Sequence, residues 1–316
     1  MPLHTVVEAM LTQLRQLGRP PISAGTADEG RALMAAARAA YGAGPEIGRV
    51  QQLCIPTRAG SLPVRLLQPT SPPIGLVVYL HGGGWALGAL DDFDHVARAL
   101  VARSGCAVLM PDYRLAPEHP FPAGLEDAED ATRWAATATA ELGSASLPLV
   151  LAGDSAGANL AAVTARTLRG EVRPVLQALI YPVADCDFGS ASYAAYGEGL
   201  ILLKRDMQWF FDLYAPAALH ADPRISPLRA ADLSGLPPAH VVTAEYDVLR
   251  DEGEAYAQRL REAGVPTELR RIAGLPHGFA RMINLVDTAD AALTEVADAI
   301  AAACRSAAAQ RMSNPE

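Results

Sequence analysis

A serine, an aspartate and a histidine, widely separated in the chain, carry the residue types needed to attack a carbonyl carbon. Ser155 lies in Gly153-Asp154-Ser155-Ala156-Gly157, after the apolar run Leu149–Ala152 and before a stretch rich in small residues. A G-x-S-x-G at a strand-to-helix turn holds its serine on a tight, strained corner, so the flanking residues must be small. Gly153 and Gly157 meet that need, and Oγ is expected to stand clear of the sheet. The Ala156 N–H then falls at a helix N-terminus, where the dipole favours a developing negative charge.

A second glycine run supplies the complementary part. His81-Gly82-Gly83-Gly84-Trp85 follows the apolar segment Leu76–Leu80. Glycines let a backbone approach a substrate closely. The N–H groups of Gly83 and Gly84, with that of Ala156, are the expected donors to an oxyanion. His81 ends a buried strand, and its ring is read as a brace for the loop rather than a base.

The order nucleophile, acid, histidine belongs to hydrolases whose nucleophile sits on such an elbow. Downstream of Ser155 the chain offers His220, His240 and His277. His240 opens a strand, and His220 sits in a loop near prolines. His277 lies in Gly274-Leu275-Pro276-His277-Gly278-Phe279, at the end of the strand expected over Glu268–Ile272. Its position suits a base that must reach Ser155. Glu245, Asp247 and Asp251 compete as the acid, all beyond the strand His240–Thr243. Asp251 fits the start of the next helix. Asp247 is chosen to fix the imidazole tautomer. Asp154 is read as a brace for the turn.

These residues need a scaffold, and the patterning describes one. Apolar strands expected over Leu76–Leu80, Cys106–Met110, Leu149–Ala152 and Val175–Tyr181 alternate with helices expected over Asp92–Arg103, Gly124–Leu142 and Ala156–Leu168. The rhythm resumes with His240–Thr243, a helix over Asp251–Glu262, Glu268–Ile272, and an Ala-rich helix over Thr288–Arg305. Continuous apolar strands between helices imply an α/β fold with a mostly parallel sheet covered on both faces. The segments Arg49–Ile55 and Leu62–Gln68 alternate and carry charge, which predicts edge strands. Before them lie a helix through Val6–Leu14, a linker over Pro20–Gly25, and a helix near Arg31–Tyr41. Asp185–Ala217 interrupts the alternation and concentrates Tyr193, Tyr196, Trp209, Phe210, Phe211 and Tyr214. Because binding pockets are apolar and aromatic-lined, this stretch is read as part of a cap over the site. Residues from Ser306 onward are expected to fray.

Composition narrows the function class. The 316 residues are 50% hydrophobic and 19% charged, as in globular enzymes with a large core. A net charge of −9 argues against nucleic acid or an anionic membrane surface as a partner. No run reaches transmembrane length, and Glu8 and Arg15 interrupt the first periodic segment, against a signal peptide. Cys54, Cys106, Cys186 and Cys304 are scattered and read as reduced thiols of a cytoplasmic protein, with no metal site. The chemistry needs no cofactor.

With these motifs in hand, the chain resembles the bacterial hormone-sensitive-lipase family of α/β-hydrolase carboxylesterases over about residues 50–290. The resemblance rests on HGGGW at His81, PDYRLAPEHPFPA from Pro111 to Ala123, GDSAG at Gly153, LIYP from Leu179, AEYDVLRDEG from Ala244, and HGF at His277. It implies the α/β-hydrolase fold, a Ser155–Asp247–His277 triad, and hydrolysis of short-acyl esters through an acyl-enzyme. It also implies a helical cap from residues 1–48 and 184–217 over a core of residues 49–183 and 218–305, with 306–316 as a tail. Dimerisation through an edge strand is implied in the same way. Ala158 stands where the family has glycine, and Val248 where it has proline; neither removes a functional group. An amide hydrolase with the same triad, or a ligand receptor on this scaffold, are the competing readings.

Overall fold

The apolar runs become strands and the amphipathic stretches between them become helices. The computed structural model describes residues 1–18, 20–137 and 147–313. Its strands are β1 (Arg49–Thr57), β2 (Gly60–Gln68), β3 (Leu76–Leu80), β4 (Ala107–Pro111), β5 (Leu149–Asp154), β6 (Leu176–Ile180), β7 (Ala239–Tyr246) and β8 (Thr267–Pro276). They form one sheet in the order β1-β2-β4-β3-β5-β6-β7-β8. β2 runs antiparallel to both its neighbours, and the pairs from β4 to β8 are parallel. This is the α/β-hydrolase architecture.

Every residue of β3, β4, β5 and β6 is buried. That follows from helices on both faces. Val77, Tyr79, Val108 and Val150 join one core, shared with α4 (Leu90–Ser104) and α10 (Asp287–Ser313). Leu76, Val78, Leu109 and Leu151 join the other, shared with α5 (Ala123–Thr137), α6 (Ala156–Thr167) and α9 (Arg250–Glu262). The period of two along each strand decides which core a side chain enters.

The order of strands creates the site. β3 lies between β4 and β5, so the chain passes to one side after β3 and returns to the other after β4. A crevice forms at such a reversal, outside the carboxyl ends of the strands. Among the described residues the other α-helices are α1 (Thr5–Gln16), α2 (Ala27–Ala36), α3 (Arg38–Tyr41), α7 (Ala191–Tyr196) and α8 (Lys204–Tyr214). Residues of α2, α3 and α8 line the cavity above that crevice.

Three expectations change, and part of a fourth lies outside the described residues. β2 is not an edge strand. Its Leu62, Val64, Leu66 and Leu67 are buried, and its Arg65 points to Asp91 and Asp94 of α4 rather than to a free edge. Charge in a strand therefore marked an ion pair here. The helix expected near Arg31 begins earlier, at Ala27, where Thr26 and Glu29 form a capping box, and it is interrupted at Ala37. The chain beyond Ser306 continues as helix to Ser313, because alanines in succession favour that state and no glycine or proline intervenes. Finally, α5 is helical to Thr137, and the remainder of its expected span, 138–142, lies outside the described residues. Cys106 and Cys304, far apart in sequence, have sulfur atoms 3.7 Å apart as free thiols.

Candidate active site

The register of two strands brings the glycine motifs together. Leu80 of β3 pairs with Gly153 of β5, so the segment from His81 and the turn at Ser155 leave the sheet side by side. Space between them is minimal: a Cβ on Gly157 would lie 1.9 Å from the Leu80 carbonyl oxygen. Ser155 itself adopts φ 55°, a region that side-chain-bearing residues rarely occupy. Trp85 and Tyr181 share this trait, with φ 58° and 37°. Strained backbone thus collects around one point, as it does where geometry is tightly prescribed.

Ser155 Oγ lies 2.9 Å from His277 Nε2, and His277 Nδ1 lies 2.7 Å from Asp247 Oδ2. β5, β7 and β8 end on the same edge of the sheet and deliver the three side chains. Asp247 is 1% exposed, and its Oδ1 accepts a hydrogen bond from the Leu249 N–H. Ser155 and His277 are 7% and 9% exposed, and both line the cavity. A proton on Nδ1 would bond to Asp247 and turn a bare Nε2 toward the serine.

Among the described residues no backbone hydrogen bond claims the N–H groups of Gly83, Gly84 or Ala156. Gly83 is held at φ 120°, and a Cβ there would lie 2.3 Å from the Leu87 carbonyl oxygen. Gly84, at φ 60°, faces Phe210 as closely.

Asp154 fastens the two motifs to each other. Its Oδ1 accepts from the Tyr79 hydroxyl at 2.8 Å and the Gly82 N–H at 2.9 Å; its Oδ2 accepts from the Tyr181 hydroxyl at 3.3 Å. Burial raises its carboxyl above the ordinary range, against the pull of these hydrogen bonds. His81 is a brace as well. Its ring stacks on Phe93 and Tyr113, its Nδ1 donates to the Gly82 carbonyl at 2.7 Å, and burial lowers its basicity. The Tyr113 hydroxyl donates to the His81 carbonyl at 2.7 Å.

The rival residues sit elsewhere. His240 is buried in β7, and His220 bonds the Ala215 carbonyl. Glu245 accepts from the Gly274 N–H, and Asp251 accepts from the Ser192 N–H. Ala158 and Val248 are fully buried in the core and do not line the cavity.

A cavity of about 230 Å³ stands over Ser155, walled by Met34, Tyr41, Leu87, Met207 and Phe210. The aromatic insertion divides its labour: Phe210 lines the cavity, whereas Phe211 and Tyr214 pack on Trp85 beneath it. Two polar fastenings hold the roof. Ser23 donates to buried Asp206 from its hydroxyl at 2.6 Å and its N–H at 3.1 Å. Arg31 of α2 donates to the Ala86 and Ala116 carbonyls and pairs with Glu118. Sequence reasoning missed Arg31, Ser23 and Asp206, and no local motif marks them.

Known proteins place this arrangement. The alpha/beta hydrolase fold family matches residues 77–281. The carboxylic ester hydrolase LipN of Mycobacterium tuberculosis is 43% identical over 270 residues, 82% of this chain and 72% of LipN. The ethyl acetate hydrolase of Pseudomonas putida is 37% identical over 92% of this chain and 96% of its own. The solved structure of a hyperthermophilic esterase from the archaeon Pyrobaculum calidifontis superposes with a TM-score of 0.91 at 38% identity, covering 96% of this chain and 99% of that one. Fold, site geometry and these relatives lead to one conclusion: the chain belongs to the alpha/beta hydrolase fold family, in its hormone-sensitive-lipase-like branch of carboxylesterases.

Proposed function

We propose that this protein hydrolyses short-acyl carboxylic esters by a two-step route through an acyl-enzyme on Ser155. The observation that carries the proposal is the continuous hydrogen-bonded line from Asp247 through His277 to Ser155. His277 Nε2 takes the Ser155 proton as Oγ attacks the ester carbonyl carbon. The carbonyl oxygen becomes an oxyanion, held by the N–H groups of Gly83, Gly84 and Ala156. Asp247 stabilises the imidazolium. His277 then protonates the leaving alkoxide, and the C–O bond to it breaks. Water enters, gives its proton to the same nitrogen, and attacks the acyl-enzyme; return of that proton to Oγ frees the carboxylic acid.

The size of the cavity supports a short acyl preference. At about 230 Å³ the cavity falls below the roughly 300–1,000 Å³ usual for drug-sized ligands, which suits a compact ester. No helix of the described residues is long and apolar enough to cross a membrane. Free cysteines fit a cytoplasmic location, and β1 and β8, at the margins of the sheet, offer edges for a homodimer.

The test is initial rates on p-nitrophenyl esters from acetate to palmitate, with matched anilides alongside. An optimum at short chains, with the anilides poor, is expected. Folded protein that turns over no ester of any length overturns the proposal.

A further inference from the structure

The cavity over Ser155 contains a cation that the chemistry above does not use. Arg281 lies one turn beyond His277, in the short segment Phe279–Met282, and lines the same cavity as Ser155 and His277. Its guanidinium carbon is 4.5 Å from the centre of the Tyr41 ring and 5.3 Å from that of Phe93. Both rings line the cavity too. α3 and α4 thus contribute one ring each against this side chain.

Two of the three nitrogens of the guanidinium, Nε and Nη2, are buried and lack a hydrogen-bond partner. Among the described residues no carboxylate pairs with it, whereas Arg31, Arg58 and Arg114 each close on an acid. The nearby ionisable groups do not fill the gap. Asp154 commits its oxygens to Tyr79, Gly82 and Tyr181. His95, stacked on Tyr41, is kept neutral by burial and meets only the backbone carbonyl of Arg281.

A guanidinium that lines the cavity, is oriented by aromatic rings and has no carboxylate beside it suits an anionic group brought in by a substrate. We infer that Arg281 is a specificity-determining residue for esters that carry a carboxylate at the far end of one arm, such as half-esters of short dicarboxylic acids. The inference rests on the esterase reading above and adds a substrate class to it.

Two substrate pairs test it. One is the methyl half-ester of glutarate against a methyl ester with an isopropyl group in place of the carboxylate. The other moves the carboxylate to the alcohol arm: the acetate ester of a hydroxybutyrate against its isopropyl counterpart. Wild type should favour the charged member of one pair by about tenfold in kcat/KM, mainly through KM, and the pair identifies the arm. In Arg281→Met that ratio should collapse, while Arg281→Lys, which keeps the charge, should keep part of it. The ratio within a pair is independent of any general loss of activity. If the Met variant fails to fold, wild type alone suffices: glutarate should inhibit hydrolysis of the neutral ester competitively, and the matching diol should not. Equal or inverted preference in both pairs, with neutral esters still turned over, overturns this inference alone. Absence of turnover on all four esters by folded protein overturns the esterase reading with it.

Discussion

The floor of the site and its roof are built on different principles. The floor is the edge where β3, β5, β7 and β8 end, and its parts are tied by buried short-range contacts: Asp154 to Tyr79 and Gly82, His81 to its own loop, Tyr113 to the His81 carbonyl. The roof comes from residues before β1 and from the insertion after β6. Those two pieces meet through Ser23 and Asp206, and the first reaches the floor through Arg31. The floor has to hold reacting atoms to a fraction of an ångström. The roof has to shape a cavity and admit an ester. Rigidity is concentrated where bonds change, and adjustable apolar side chains such as Met34 and Met207 lie where the substrate varies.

Substitutions in the floor should therefore abolish turnover without loosening the fold, and those in the roof should do the reverse. Ser155→Ala or His277→Ala should lower kcat by about a million-fold, with the circular dichroism spectrum unchanged. A residual rate within tenfold of wild type would break the comparison at its root. Asp247→Asn leaves the packing intact but selects the wrong imidazole tautomer, and should reduce kcat by about 10,000-fold. Gly83→Ala forces a Cβ against the Leu87 carbonyl at φ 120°, displacing one oxyanion donor; about 100- to 1,000-fold in kcat is expected. Steady-state kinetics on p-nitrophenyl acetate checks these predictions.

Glu252 joins the two regions. It lies in α9 and its Oε1 accepts from the N–H groups of Ala184 and Asp185, where the insertion leaves the sheet. Burial pushes its carboxyl well above the usual range. The folded chain then keeps a proton that the unfolded chain releases. Stability is therefore fully present below the ordinary glutamate pKa and declines as pH rises from about 4.3 through the folded value. Glu252→Gln cannot ionise, so its melting temperature should fall less than that of wild type between about pH 5 and pH 8. Parallel curves would show that this junction carries no titrating load. The smallest effect belongs to the roof. Ser23→Ala should cost about 1–2 kcal/mol in stability, or a few degrees, because Asp206 keeps only the Ser23 N–H from this contact. It should raise KM for longer acyl chains more than it lowers kcat for acetate.

The same division explains what the sequence made legible. Ser155, His277 and Asp247 each follow a strand directly, so a motif and an element boundary were enough to single them out as candidates, together with the glycine loop. Arg31 carries no such signal. It lies in a helical stretch like any surface arginine, and only the folded chain puts it against the Ala86 and Ala116 carbonyls. Arg65 misled for a related reason: a charged residue in an alternating strand reads as solvent-facing until α4 presents Asp91 and Asp94 to it. Phe210, Phe211 and Tyr214 could be counted as a cluster, but which of them faces the cavity depends on how α8 is rotated against Trp85.

The contact at Gly157 bears on how this protein can change over generations. A single added methyl group there would collide with the Leu80 carbonyl oxygen, and one on Gly153 would strike both that oxygen and the Gly157 backbone. Neither obstacle is a side chain that a second mutation could trim. Lineages that keep the activity have few sequence neighbours along the floor, and new preferences must be explored through the roof. A mutant library meant to shift selectivity should accordingly leave residues 153–157 fixed and randomise around Met34, Met207 and Phe210, where each substitution meets another side chain able to yield.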